Sequence, residues 1–187
     1  MWKLWAKTDR SKNPLQLTWD DVHLLLCHLI DVGAVCEAYL RGSSSLVRDY
    51  FASFVAEVND EDEAIRVVAA AVALHDLGKA SPFQTKAGAL WNDLRAAGLP
   101  GKVNDQLVSH DYGSYIALSG LSPLGTADQE DLRMHVAHMI SSHHGRLRSS
   151  VDWDEIDHQC EMLGQWTAIQ EAHVSAVLQA FELPEQR

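Results

Sequence analysis

The sequence predicts an all-α protein, a compact bundle of about six to eight helices. Three observations support this fold class. Apolar residues recur every three or four positions along successive segments, as they do on one face of an α-helix. Short stretches rich in Gly, Pro and Ser separate these segments, and no run shows convincingly the period of two that a half-buried strand requires.

The first helix is expected from Asp20 to Arg41, and a second helix is expected over residues 46–58. Thr18 or Asp20 can cap the start of the first helix, and Gly42 follows its end. Both ends of this helix therefore have a sequence signal.

The third helix is expected over residues 59–78. Acidic residues fill its first turn, where they favour the positive end of the helix dipole, and Gly78 is its stop signal. Its alanine run predicts burial on most sides, with close approach of neighbouring backbones. Later helices are expected over residues 84–97, 101–118, 127–142 and 154–181.

The chain has 187 residues, of which 47% are hydrophobic and 22% are charged. This length supports one domain with a sizeable core, and the composition is that of a globular protein rather than a disordered one. The formal net charge of −11 argues against broad nucleic-acid binding through the surface. Bound divalent cations, however, would place positive charge at one point and dominate the local field.

The cysteines and the apolar runs indicate a cytoplasmic protein without a membrane partner. The three cysteines are odd in number and form no CxxC pair, so buried thiols in a reducing cytoplasm are expected at Cys27, Cys36 and Cys160. The longest apolar run, Val67–Leu74, is too short to span a bilayer. The N-terminal "MWKLWAKTDR" lacks the apolar stretch of a secretory signal.

The doublet His75-Asp76 stands where an apolar helix is expected to end. Adjacent residues on a regular helix point about 100° apart, so the two side chains flank a shared ion only where Gly78 releases the backbone. Imidazole and carboxylate together suit Mn, Fe, Co, Ni or Zn better than Ca or Mg alone. A bridging carboxylate can hold two metals about 3.5–4 Å apart.

Further candidate ligands come from distant parts of the chain. His143 and His144 stand where a helix meets a loop, as the first doublet does. His28 lies on the apolar face of the first helix, where the alternative is a core histidine bonded to a backbone carbonyl. For His110 the alternative is a polar cap near a helix end. Two terminal pairs with two inward histidines favour a metal cluster over unrelated coincidences.

The remaining histidines are weaker candidates. His135 and His138 share a helix face, and an amphipathic face below the site is favoured there over ligation. The other three stand among charged or polar neighbours and are expected in solvent: His23, His158 and His173. Asp31 and Asp111 are expected to be surface groups or hydrogen-bond partners of the ligands.

Two other catalytic classes lack their motifs. The sequence has no GxSxG nucleophile elbow and no GxxxxGK[ST] phosphate loop. Cys27 precedes His28, but neighbours on a helix diverge, so a thiol nucleophile receives little support.

The stretch "LHDLGKASPFQ", with "CHLIDV" before it and "SHDYGS" and "SSHHGR" after it, resembles the HD superfamily of metal-dependent phosphohydrolases. Within it, the chain is most similar to the HD nuclease domain of Cas3, the effector nuclease of type I CRISPR systems. The resemblance runs from Trp19 to Arg146, with the motifs in the family's order. It implies a compact HD-domain helical bundle, with one HD-type metal-dependent nuclease domain over residues 1–187.

The resemblance also implies roles for individual residues. The implied metal ligands, with Asp76 as the bridging one, are His28, His75, Asp76, His110, His143 and His144. Asp76 and Lys79 are the implied catalytic residues, and Lys79 and Arg146 are the implied contacts to substrate phosphates. The implied cofactors are divalent transition metal ions, one or two per chain: Mn, Fe, Co or Ni, with Mg and Zn as further options.

The implied activity is metal-dependent cleavage of phosphodiester bonds in single-stranded DNA, in antiviral defence. The implied partners are single-stranded DNA, the Cas3 helicase domain and the RNA-guided Cascade complex. Two alternatives stay open: an HD-type phosphohydrolase that acts on small nucleotides, and a catalytically degenerate helical interaction module.

The sequence departs from the family at one ligand. The family supplies a late aspartate in a motif like "ADW.aS", but no aspartate follows Asp157, and Asp152-Trp153 comes too soon after His144. Either the chain stops short of that helix, as a fragment would, or fewer protein ligands hold the first metal. The helicase motor is also not expected in this sequence, which would be an isolated nuclease domain or a separate subunit.

Overall fold

The computed structural model describes residues 3–9, 11–53, 58, 60–100, 109–120, 137–140, 142–144 and 164–184. These residues are mostly helical, which confirms the all-α prediction. Their bounded α-helices are α1 (Leu25–Gly42), α2 (Ser45–Ala52), α3 (Glu61–Ala73), α4 (Gly88–Ala96), α5 (His110–Gly120) and α6 (Thr167–Ala180). The 3₁₀ helices among them are Trp19–Asp21, Leu74–Lys79 and Pro82–Lys86, and residues 137–140 are also helical.

A short antiparallel hairpin precedes the helices, although the sequence shows no convincing strand. Its strands are β1 (Trp5–Thr8) and β2 (Val22–Leu24). Strands this short are too brief to show a period of two in the sequence. The side chain of Gln84 stabilises the hairpin, because its Oε1 accepts from the Trp5 N–H at 3.0 Å and its Nε2 donates to the Trp5 carbonyl at 2.9 Å. One amide thus pairs with β1 as a neighbouring strand would.

The hairpin also moves the start of the first helix. α1 begins at Leu25, not at Asp20 as predicted, because residues 22–24 pair with β1. The backbone N–H and the hydroxyl of Thr18 both donate to the Asp21 carboxylate at 2.9 Å. The predicted capping residue therefore stabilises the 3₁₀ turn before the strand rather than the α-helix.

The core forms where α3 packs against α1. The Asp60 side chain caps α3 by accepting from the Asp62 N–H, and the first turn is acidic as predicted. Ala69, Ala70 and Ala73 are 0–2% exposed and Ala71 is half-buried, which agrees with the predicted burial on most sides. The small side chains let the two helix backbones approach closely.

α3 ends at Ala73, earlier than the predicted stop at Gly78. The chain tightens there into the 3₁₀ helix Leu74–Lys79, and Asp76 departs from helical dihedrals with φ −105° and ψ 15°. Gly78 has a different role from the predicted one: a Cβ at this position would lie 1.9 Å from the His110 carbonyl oxygen and 2.2 Å from the Ser114 nitrogen. Glycine is required because the α5 backbone packs directly on it.

The other predicted helices agree in type with the described elements where they overlap. The bounds differ mainly because Ser81 and Pro82 begin a separate 3₁₀ turn before α4, with the Ser81 side chain accepting from the Phe83 N–H. Predicted helical residues that lie outside the described ones are 54–57, 59, 101–108, 127–136, 141 and 154–163. Within the described part of the chain, no helix has both the length and the apolar character needed to cross a bilayer.

His173 is fully buried, which corrects its predicted place in solvent. It lies on α6, which packs against α1, and its Nδ1 hydrogen-bonds the Ile169 carbonyl at 2.7 Å. Its Nε2 has no partner among the described residues. Polar neighbours in sequence were a poor guide, because helical periodicity places them on other faces.

The expectation of buried thiols is also wrong for the two cysteines that the structure describes. Cys27 is exposed and Cys36 is half-buried, whereas Cys160 lies outside the described residues. Burial raises the pKa of the Cys36 thiol.

We expect Gly78→Ala to lower the free energy of unfolding by about 1–3 kcal/mol, because a methyl group there overlaps backbone atoms of α5. The measurement is urea unfolding followed by circular dichroism. Gly42→Ala is the matched control, since nothing lies within 4 Å of its Cβ position, and it should change stability by less than about 1 kcal/mol. Equal stabilities for the two variants would contradict this packing.

We expect His173→Leu to reduce the loss of stability at mildly acidic pH. Burial lowers the pKa of His173 below its ordinary value of 6.5, so the unfolded chain takes up this proton first as pH falls. The contribution of neutral His173 to the free energy of unfolding is complete above pH 6.5. Below that pH it declines, by at most about 1.4 kcal/mol per pH unit. Urea unfolding between about pH 7.5 and 5.5 tests this. Parallel profiles for both proteins would exclude a contribution from His173.

Candidate metal centre

Side chains from four separate segments converge on Asp76. They are His28 from α1, His75 and Asp76 from the 3₁₀ helix Leu74–Lys79, His110 from α5, and His143 and His144 from the turn after residues 137–140. The ligand atoms form two groups, and within each group all lie within 4.8 Å of one another: His28, His75 and Asp76 in the first group, and His110, His143 and His144 in the second. All six residues proposed as ligands from the sequence therefore meet.

The Asp76 carboxylate belongs to the first group and also faces histidines of the second. Its Oδ2 is 3.0 Å from His28 Nε2 and 3.3 Å from His75 Nε2. Its Oδ1 is 3.4 Å from His110 Nε2 and 3.5 Å from His143 Nε2. Each oxygen thus faces a different set of imidazoles, which is the geometry that a bridging carboxylate requires.

Two of the imidazoles are held with Nε2 directed at Asp76. His75 Nδ1 is 3.2 Å from the Val72 carbonyl oxygen, and His143 Nδ1 is 2.9 Å from that of Ile140. In a neutral ring the proton on Nδ1 donates to the carbonyl, which leaves the Nε2 lone pair facing the carboxylate. Metal-bound histidines are commonly oriented by this kind of backbone contact.

The donor set fits a transition metal ion. Asp76 Oδ1 is buried and has no hydrogen-bond partner among the described residues, and in the Nδ1-protonated tautomer of His143 it faces an imidazole lone pair. A cation between them removes that repulsion. Two donors bound at about 2.1 Å to one ion lie about 3.0–3.4 Å apart at ordinary coordination angles, close to the observed separations. Imidazole and carboxylate donors favour Mn, Fe, Co, Ni or Zn over Ca.

The charge state of Asp76 results from opposing effects. Burial disfavours the ionised form, but the imidazoles of His143, His28 and His75, as hydrogen-bond donors when Nε2 carries a proton, and the charge on Lys79 outweigh it and hold the pKa of Asp76 far below its ordinary range. In turn, the Asp76 carboxylate raises the pKa of His143. Asp76 is therefore a carboxylate at neutral pH.

Burial also disfavours the charged form of His110, and for an imidazole this lowers the pKa. Desolvation lowers the pKa of His110 to about 4, and the Asp76 carboxylate only partly opposes this. His110 is thus neutral at pH 7, the form in which an imidazole can donate a lone pair to a metal.

Lys79 contacts the carboxylate directly. Its side chain is buried, and Nζ donates to Asp76 Oδ2 at 2.6 Å. The ammonium group therefore stabilises the ionised carboxylate and lies beside the first ligand group.

Two buried side chains that position the centre were not singled out from the sequence. Ser114 Oγ accepts from the Gly78 N–H at 2.8 Å and lies 2.9 Å from the His75 carbonyl oxygen and 3.0 Å from that of His110. It ties the 3₁₀ helix to α5, and its spacing of four residues after His110 in "HDYGS" is the signal that could have found it.

Gln84 is the second of these. Its Nε2 donates to the Lys79 carbonyl at 2.8 Å as well as to Trp5, so one amide joins the hairpin to the end of the 3₁₀ helix. It closes the stretch "KASPFQ", where its polar side chain follows a buried proline and phenylalanine.

Other candidates from the sequence lie outside the two ligand groups. His138 belongs to neither group, and its ring packs on that of Tyr115 at 4.7 Å. His23 is exposed, with Nε2 3.1 Å from Asp31 and its ring edge-on to His28. Arg146, His135 and His158 lie outside the described residues, as do Asp152 and Asp157.

A family model for the HD domain of Cas3 matches residues 5–187, nearly the whole chain. The chain belongs to the Cas3 HD-domain family. The family match confirms the resemblance inferred from the four sequence motifs, and with it the classification as an HD-type hydrolase fold.

A solved crystal structure of a CRISPR-associated protein is similar to this Cas3-family chain, with a TM-score of 0.77 and 25% sequence identity over 98% of the chain. The chain spans 20% of the length of that protein. No match was found among curated proteins.

We expect the chain to bind up to two Mn²⁺ or Co²⁺ ions, with His28→Ala and His144→Ala each weakening one of them and Asp76→Ala weakening both. The reason is that each histidine belongs to one ligand group, whereas Asp76 faces both. Isothermal titration calorimetry with elemental analysis measures the stoichiometry. Binding also raises thermal stability by mass action, which gives a second readout.

His138→Gln is the control, since His138 belongs to neither ligand group. If Asp76→Ala removed only one ion and left the other at wild-type affinity, the bridging role would be wrong.

Proposed function

We propose that this chain is a metal-dependent nuclease that hydrolyses phosphodiester bonds of single-stranded DNA, as the HD nuclease domain of a Cas3-type effector in antiviral defence. The single observation that carries the proposal is the Asp76 carboxylate, whose two oxygens face two separate imidazole groups. Membership of the Cas3 HD-domain family supports the same reading. The proposed cofactors are one or two divalent ions of Mn, Fe, Co or Ni, with Mg or Zn as further options.

Two sets of residues are the proposed ligands of the two ions. His28, His75 and Asp76 would hold one ion, and His110, His143 and His144 with the second oxygen of Asp76 would hold the other. When bound, such ions activate water and stabilise the charge that develops on a phosphodiester.

The chain's own groups keep the centre ready for this chemistry. Lys79 holds the Asp76 carboxylate ionised and in place, and as a cation beside it Lys79 also favours an anionic substrate. His110 stays neutral at pH 7, so its nitrogen is free to act as a ligand. Ser114 fixes the backbone carbonyls of His75 and His110 relative to each other, which limits movement between the two ligand groups.

The proposed substrate and partners are those that the family resemblance implies, and the net charge of the chain agrees with them. A chain with net charge −11 attracts nucleic acid weakly through its surface, so we assign delivery of the DNA to the Cas3 helicase domain and the RNA-guided Cascade complex in the cytoplasm. Contact through phosphates alone makes cleavage independent of sequence. Arg146, as a second phosphate contact, remains part of this proposal.

Circular single-stranded DNA tests the proposal. With Mn²⁺, Co²⁺ or Ni²⁺, the purified chain should convert the circles into linear fragments, and Asp76→Ala should reduce the rate by at least about 100-fold because it removes the group that both ligand sets share. Asp49→Ala is the matched control, since it removes an exposed aspartate on α2 and should cut at the wild-type rate.

The other outcomes identify the alternatives. Phosphate release from nucleoside triphosphates with the circles intact would show a small-nucleotide phosphohydrolase. A folded, metal-loaded chain that leaves both substrates intact would show an interaction module. Either result would overturn the proposed nuclease.

A further inference from the structure

We propose that Lys86 binds a backbone phosphate of the nucleic-acid substrate beside the ligand group of His110, His143 and His144. This inference rests on the proposed function, because it takes the substrate to be a phosphodiester polymer rather than a single nucleotide. It adds a substrate contact on the α5 side of the centre.

Lys86 is held next to the centre by an aromatic ring. Its Nζ lies 4.2 Å from the centroid of the Phe83 ring, and that ring is 5.2 Å from the imidazole of His110. These contacts keep the ammonium within about 10 Å of the His110 ring, which is one Debye length at 0.1 M salt. A phosphate bound at the second ligand group is thus within the range of the Lys86 charge.

Phe83 is a fixed support rather than a stacking surface for bases. It is 7% exposed, and the Trp5 ring packs on it with a centroid distance of 4.9 Å. The electron-rich face of a buried aromatic ring attracts a cation, and this contact positions Lys86 without neutralising it.

Lys86 carries no ion pair among the described residues, whereas Lys79 is already paired with Asp76. Both ammonium groups lie over Phe83, at 4.2 Å and 5.7 Å. Lys79 is buried and bound to Asp76. Lys86 is exposed, and no carboxylate forms an ion pair with it among the described residues. Of the two lysines, Lys86 therefore presents the uncompensated charge.

The surroundings of Lys86 favour an anion. Partial desolvation of the exposed side chain and the charge on Lys79 lower the pKa of Lys86, and Asp111 only partly opposes them. A phosphate at this position relieves the repulsion between the two lysines. On a chain with net charge −11, two neighbouring lysines provide positive charge beside the ligand groups.

The test is the salt dependence of single-strand binding. A fluorescently labelled oligothymidylate is titrated with the full chain in EDTA, where metal-dependent cutting cannot occur, by fluorescence anisotropy over a range of KCl concentrations. We expect Lys86→Gln to weaken binding about three- to tenfold and to lower the slope of log K against log salt by about 0.7, the value for one phosphate contact on a single strand. Lys86→Arg should restore most of both.

Arg95→Gln is the matched control, because it removes the same charge from an exposed position at the end of α4. It should leave the slope unchanged, and Lys86→Gln should leave Mn²⁺ stoichiometry and the free energy of unfolding unchanged. A loss of folding or metal binding in Lys86→Gln would indicate a structural role and overturn the inference.

The outcomes separate this inference from the proposed function. If the chain cuts circular DNA but Lys86→Gln keeps the wild-type slope and affinity, the inference fails and the nuclease stands. If no metal supports cutting but binding depends on Lys86, the inference stands and the nuclease fails. If the wild-type chain does not bind the oligonucleotide, the inference fails, and cutting of circular DNA alone decides whether the nuclease stands.

Discussion

The ionised carboxylate of Asp76, buried among imidazoles, is the interaction on which the rest of this structure depends. A buried carboxylate is costly unless charges and hydrogen bonds compensate it, and here Lys79 and three histidines do so. The arrangement stays short of complete compensation, because Oδ1 lacks a hydrogen-bond partner among the described residues. The negative charge left without a partner at Oδ1 makes the centre favourable for a cation.

The backbone around Asp76 is positioned by close packing rather than by a long regular helix. The change from α to 3₁₀ geometry after Ala73 turns the His75-Asp76 doublet inward. Gly78 then lets α5 approach within backbone contact, and Ser114 joins the two segments. Through this contact, the placement of His110 depends on a residue without a side chain.

Local sequence patterns predicted the elements that depend on local physics. The acidic first turn and alanine run of α3 were recognised because capping and helix burial are set by neighbours in sequence. The β1–β2 hairpin was missed because its stability comes from Gln84, which lies far along the chain from Trp5. Gly78 was misread as a helix stop for the same reason: its role depends on α5, which no local pattern reveals.

In the candidate centre, too, local patterns predicted some positions, whereas others depend on distant parts of the chain. The residues alone suggested that His75, Asp76, His143 and His144 stand at helix ends, but they left a core role open for His28 and a capping role open for His110. The family resemblance implied a ligand role for both, and the structure brings all six side chains together. His173 was misplaced because its burial depends on the packing of α6 against α1.

The donors that meet at Asp76 are far apart along the chain. His28 and Asp76 are separated by 48 residues, and His110 and His144 by 34. Closing loops of this length costs entropy before any contact rewards it, so the centre forms only when most of the fold has formed. During synthesis, the second ligand group is incomplete until His144 has left the ribosome. Partly made chains therefore lack a complete pair of ligand groups, and the two groups exist together only late in folding.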